Sequence, residues 1–135
     1  MIIDSHVHLN DPELFSRVDE IIERAKKDGV IGFICIGYDR ESSEIALELA
    51  QIYDEVYAVI GIHPSEAKHY QESDLLWLEK NVKKNKVVGI GEIGLDYYWD
   101  RSHENKQKEL FIKQLELANK VNLPVVIHMR DATNE

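Results

Sequence analysis

Two histidines stand one residue apart near the start of the chain, in Asp4-Ser5-His6-Val7-His8. On an extended strand alternate side chains leave the same face, so His6 and His8 aim two imidazoles at one point, with Asp4 a step earlier. Such a pair can grip a divalent cation from a single strand, although a chance surface pair has the same spacing. Groups of matching chemistry follow: His63 in Gly61-Ile62-His63-Pro64, Glu92 in Gly91-Glu92-Ile93-Gly94-Leu95-Asp96, and His128 in Val126-Ile127-His128-Met129-Arg130-Asp131. Each ends an apolar, β-branched run. Four histidines and a glutamate at the carboxyl ends of strands form the pattern of a metal site at the mouth of an α/β fold. The bland account has each histidine capping its own strand and Glu92 pairing with Arg130. It needs several coincidences on one rim. His69 and His103 sit in polar stretches beside helices and read as solvated.

The elements that must position these groups are visible in the hydropathy. Short runs at Ile2-Ile3, Gly32 to Ile36, Val56 to Ile62, Val87 to Ile93 and Val125 to Ile127 are nearly continuous in hydrophobicity, as in parallel strands buried on both faces. Between them lie helical faces: Leu14, Val18, Ile21, Ile22 and Ala25; Ile45, Leu47, Leu49, Ala50 and Ile52; Leu75, Leu76, Leu78 and Val82; Leu110, Phe111, Leu115, Ala118 and Val121. Gly29 stops the first helix and Pro124 precedes the last strand. Strand and helix thus alternate, with right-handed crossovers expected. Gly89, Gly91 and Gly94 lie within a strand with no helix start close behind, so they are not a nucleotide fingerprint.

Two architectures fit. After the fifth strand only Met129 to Glu135 remain, too few for a covering helix. A flavodoxin-like open sheet normally ends in such a helix, whereas a (β/α)8 barrel needs ~250 residues and this chain would supply about its first half. In an open sheet of order 2-1-3-4-5, strands one and five stand three steps of ~4.8 Å apart. In a barrel, strands one, four and five converge on one mouth. If His6, His8, Glu92 and His128 form one cluster, the barrel is favoured.

Composition narrows the function. The 135 residues carry 16 Lys+Arg against 25 Asp+Glu, a formal charge of −9, with 44% apolar and 30% charged residues. A large nonspecific nucleic-acid surface needs more cations than this. Cys35 is the single cysteine, which excludes an intrachain disulfide and a Cys-rich zinc ribbon. The start lacks a basic region and no apolar run approaches ~20 residues, so the expectation is a cytoplasmic chain with no membrane span. No protein partner is predicted.

Together Asp4 to His8, Gly61 to Pro64, Gly91-Glu92-Ile93-Gly94-Leu95-Asp96-Tyr97-Tyr98, Gln107 to Ala118, and Leu123 to His128 with Arg130-Asp131-Ala132 resemble the TatD family of metal-dependent hydrolases, of the amidohydrolase type. The resemblance is collinear over the whole chain. It implies an α/β fold, a (β/α)8 TIM-type barrel present as about its first five strands, with residues 1–135 the amino-terminal part of one hydrolase domain. It also implies two divalent ions, Zn, Mn or Mg: His6 and His8 on the first, Glu92 bridging, His128 on the second. The family's further His and Asp ligands would lie beyond Glu135. Ser65 and Met129 depart from the residues common in the family.

The implied activity is that of a deoxyribonuclease hydrolysing phosphodiesters at single-stranded DNA ends through a hydroxide activated by two metals. Glu92, His63 and Arg130 are the catalytic candidates. His63 either hydrogen-bonds the phosphate or is a structural residue before Pro64, and Arg130 either clamps phosphate or pairs with Asp131 or Glu92. Tyr97, Tyr98 and Trp99 either stack a base or cover the barrel top. The alternatives are an amide, ester or lactone hydrolase on the same barrel, or a noncatalytic metal-binding half-domain. The chain alone is expected to be inactive.

Overall fold

The computed structural model describes residues 1–135. The strands are β1 (Ile2–Val7), β2 (Val30–Ile36), β3 (Val56–Ile60), β4 (Val87–Asp96) and β5 (Val125–Arg130). The helices are α1 (Pro12–Phe15), α2 (Val18–Lys27), α3 (Arg40–Ile52), α4 (Glu72–Asn81) and α5 (Glu104–Val121), with a 3-10 turn at Pro64–Glu66. The strands form one parallel sheet in the order β1-β2-β3-β4-β5. Each strand therefore pairs with its successor, as in a barrel wall, and the open order 2-1-3-4-5 is excluded. The result is a half-barrel.

The first helical stretch differs from its expected form. Asp11 accepts the Glu13 N–H and Pro12 fills the first helical position, so a short α1 starts early. It ends at Ser16, and α2 restarts after Arg17, whose φ and ψ of −124° and 20° are not helical. Leu14 is left exposed. α2 then buries Val18 and Ile22, carries Asp19 and Glu20 in its first turn, and places Arg24, Lys26 and Lys27 in its last, matching its dipole. Gly29 makes the exit at φ +91°, a conformation costly for other residues. Two other expected core positions are also exposed, Ile52 at 68% and Leu76 at 60%.

The main core lies between the sheet and its helices. It joins Ile22, Ala46 and Leu47 to Cys35, Ala58, Ile60, Ile90 and Ile93. Burying each large aliphatic side chain stabilises the fold by about 1.5–3 kcal/mol. The outer strands are less protected than the inner ones: Ile2, Ile3, Ile127 and Met129 are all more than half exposed. No helix is long and apolar enough to cross a membrane.

Candidate metal centre

The donor groups gather toward the carboxyl ends of the strands, although Glu92, expected at the end of its strand, lies within β4, which continues to Asp96. His6 is on β1, but His8 lies just past the strand, so simple strand alternation does not position it. A hydrogen bond does: His8 Nδ1 is 2.9 Å from the carbonyl oxygen of Ile36, at the end of β2. A carbonyl only accepts, so Nδ1 carries the hydrogen and Nε2 of the neutral ring keeps a free lone pair. Buried Asn10 donates from Nδ2 to the same carbonyl at 3.0 Å and to the Ser42 carbonyl at 2.8 Å, tying this loop to α3. The rings of His6 and His8 meet edge to face with centroids 5.1 Å apart. Asp4 does not join them; its Oδ1 accepts the backbone N–H of His6.

Glu92 lies between two sets of nitrogens. Its Oε2 is 3.8 Å from His6 Nε2 and its Oε1 is 3.3 Å from His128 Nδ1. Donor atoms of His6, His8 and Glu92 all lie within 4.8 Å of one another, and so do those of His63, Glu92 and His128. The glutamate is common to both groups. The sequence-predicted set of His6, His8, Glu92 and His128 thus surrounds one carboxylate, in two overlapping halves.

His63 sits beyond β3, capping the 3-10 turn. Its Nδ1 accepts the Ser65 backbone N–H at 3.1 Å and lies 2.8 Å from Ser65 Oγ. Burial, then the neighbouring charge of His128, pushes its pKa down to about 4, so the ring is neutral at pH 7. A neutral imidazole whose Nδ1 accepts must carry its hydrogen on Nε2. His63 is therefore a hydrogen-bond donor beside the cluster and offers no second lone pair. Its ring packs edge to face on that of His128, centroids 4.3 Å apart.

Arg130 forms no ion pair with Asp131 or Glu92. Its guanidinium stacks 3.7 Å above the Tyr98 ring and 5.6 Å from that of Trp99. Trp99 is 78% exposed, whereas Tyr97 is buried. A cleft of about 230 Å³, lined by Ser65, Lys68, Asp96, Trp99, His103 and Gln107 among others, opens beside the cluster. His103 is half-buried in its wall, unlike the solvated residue expected; His69 is exposed.

Three residues with no role expected from sequence also shape this rim. Asp96, at the end of β4, places Oδ2 2.9 Å from His128 Nε2. Gln107 and Gln114, both buried on α5, each span one backbone unit: Gln107 bonds the N–H and C=O of Asp96, and Gln114 those of Ile62. Their spacing of seven residues places them on one helix face, where polar residues interrupting an apolar stripe were the available signal.

The donor set fits divalent cations. His6, His8 and Glu92 offer two imidazoles and a carboxylate, the three-ligand kind of set that leaves a position open on Zn²⁺, and nitrogen-rich sets favour Zn²⁺ or Mn²⁺ over Mg²⁺. A parallel half-barrel with such a cluster at its mouth is the framework of a barrel metallohydrolase. The chain belongs to the TatD related DNase family, whose pattern matches residues 3–135. It is 45% identical over its whole length to the uncharacterized metal-dependent hydrolase YabD of Bacillus subtilis, covering 53% of that protein. It is 34% identical over 132 residues to the 3'-5' ssDNA/RNA exonuclease TatD of Edwardsiella piscicida, covering 97% of this chain and 51% of that one. The crystal structure of the TatD homolog YjjV from Escherichia coli superposes with a TM-score of 0.91 at 32% identity, over 96% of this chain and 51% of that one. The chain spans about half the length of the curated relatives it matches.

Proposed function

We propose that the whole protein is a metal-dependent phosphodiesterase that trims single-stranded DNA ends, with residues 1–135 as the amino-terminal part of its hydrolase barrel. The observation that carries this reading is Glu92, whose two carboxylate oxygens face separate histidine groups. In it, His6, His8 and Glu92 would hold one ion, and Glu92 with His128 a second. Divalent ions held there supply Lewis acidity and lower the pKa of water from about 15.7 towards ~7.

The chain's own groups handle the substrate. His63, fixed by Ser65 as an Nε2–H donor, hydrogen-bonds a phosphate oxygen next to the cluster. Arg130 leaves its stacked position to present a planar pair of donors to the same phosphate. Tyr98 and Trp99, exposed beside it, stack the terminal base, at ~1–3 kcal/mol per base. The net charge of −9 suits contact with a strand end over a grip on a long duplex. Cys35, a buried free thiol, is compatible with the cytoplasmic setting that forms part of the proposal. For residues 1–135 alone the expectation is negligible turnover.

The test is an assay of the whole protein with Zn²⁺, Mn²⁺ or Mg²⁺ on single-stranded DNA, RNA and a panel of small esters and lactones, beside residues 1–135 alone. Metal-dependent release of nucleotides from DNA ends, lost in Glu92→Gln, is the expected result. Turnover of esters or lactones with none on DNA would overturn the nuclease assignment. Comparable turnover by the short chain would overturn the claim that it is insufficient.

A further inference from the structure

We infer that Asp96 is a positioning residue: it fixes the hydrogen of the His128 ring on Nε2 and so turns the Nδ1 lone pair toward Glu92. The inference rests on the reading of His128 and Glu92 as an ion-holding pair.

Asp96 is 8% exposed and held at four points. Its backbone N–H donates to Gln107 Oε1 and its carbonyl accepts from Gln107 Nε2, both at 2.8 Å. Its Oδ1 accepts the Tyr98 backbone N–H at 3.0 Å, and Oδ2 lies 2.9 Å from His128 Nε2. An ionised carboxylate has no hydrogen to give, so His128 donates from Nε2. The neutral ring then has an unshared pair on Nδ1, the nitrogen that stands 3.3 Å from Glu92 Oε1. In that neutral form, lone pair and carboxylate oxygen face each other with no hydrogen between them. A cation reconciles such a pair, and a ligating histidine whose other nitrogen is anchored by a carboxylate is both oriented and made more basic. Gln107 matters because it bonds both backbone groups of Asp96 and so fixes the backbone from which the carboxylate reaches His128. Asp96 thereby does for His128 what the Ile36 carbonyl does for His8, with the nitrogens exchanged.

The experiment uses the whole protein, titrated calorimetrically with Zn²⁺ and Mn²⁺. Long-range ¹H–¹⁵N correlation spectra of its imidazoles are recorded before and after, with His128 assigned through His128→Gln. In the wild type the hydrogen is expected on His128 Nε2, with Nδ1 shifting when the ion is added. Asp96→Asn preserves shape but has one accepting oxygen where two are used; it should weaken binding by 10–100-fold, the effect typical of losing such an anchor. It should also let the His128 hydrogen distribute over both nitrogens. Gln107→Leu should weaken binding although Asp96 itself is unchanged, because the backbone carrying its carboxylate is released. A wild-type ring protonated only on Nδ1, or an Asp96→Asn variant with unchanged affinity and an unchanged ring spectrum, would overturn the inference. No ion binding by the wild type would overturn the metal reading instead, and the ion-free ring spectra would still decide whether Asp96 fixes His128.

Discussion

A β-carbon placed on Gly94 would stand 1.9 Å from the carbonyl oxygen of His128. The two residues are paired across β4 and β5, and Gly94 also has φ +144°, where other residues are strained. This close approach fixes the height of His128 against Glu92, two residues earlier on β4. Gly94→Ala should cost about 2–5 kcal/mol from overpacking and backbone strain combined. Urea unfolding checks this, and an unchanged midpoint would show that β5 can step away freely.

Glu92→Gln removes the charge common to both donor groups, whereas His6→Asn touches only one. Calorimetry with Zn²⁺ should show Glu92→Gln losing affinity in every binding phase. His6→Asn should abolish the phase belonging to His6 and His8 and only weaken the other. Identical traces from the two variants would argue against a shared carboxylate.

Arg130→Ala in the whole protein should raise KM for DNA ends far more than for a neutral ester, because only the phosphate would use the planar pair of donors. The aromatic stack gives a competing outcome. If Arg130 merely buttresses Tyr98 and Trp99, losses on both substrates will be equal.

Gln114→Leu leaves the backbone N–H and C=O of Ile62 unpaired in a buried setting. Each orphaned group costs about 1–3 kcal/mol. The unfolding free energy should fall accordingly, and His63, the next residue, should lose its fixed position. A shifted His63 imidazole spectrum would report that second effect.

Burial pushes the Cys35 thiol up to about 11 from an ordinary value near 9.0, despite opposing hydrogen bonds from Asn10 and Leu9. The folded form therefore keeps its proton over a range in which the unfolded form loses it. Its stabilising contribution is complete below pH 9.0 and disappears as pH rises through about 11. Thiol-reactive dye at pH 8 should label the protein only after unfolding. Rapid labelling of the native chain would contradict the burial.

Part of the donor cluster was legible because strand ends can be read from hydropathy, and His6 and His128 lie near such ends; Glu92 was expected at one too, but β4 runs four residues past it to Asp96. On sequence alone their convergence was only a condition; the strand order β1-β2-β3-β4-β5 is what excludes the open sheet. His8 was less legible: it leaves the strand, and the Ile36 carbonyl that orients it is 28 positions away in sequence. Asp96 with His128 and Gln114 with Ile62 are likewise long-range pairs, which no local spacing reveals. The break between α1 and α2 did have a local signal in Asp11-Pro12, but the apolar spacing of Leu14 and Val18 ran across it. Exposure of Ile52 and Leu76 was hidden because periodicity shows which residues share a face, not how far the covering elements reach.

Were each donor group to hold an ion, the single carboxylate of Glu92 would link the two thermodynamically. An ion on one oxygen would draw charge from, and restrict, the other, so neither affinity could be altered independently. By reciprocity, whatever factor the first ion imposes on the second must be returned by the second on the first. The phases of metal uptake would then be coupled, and a change confined to His6 and His8 would still be felt at His128.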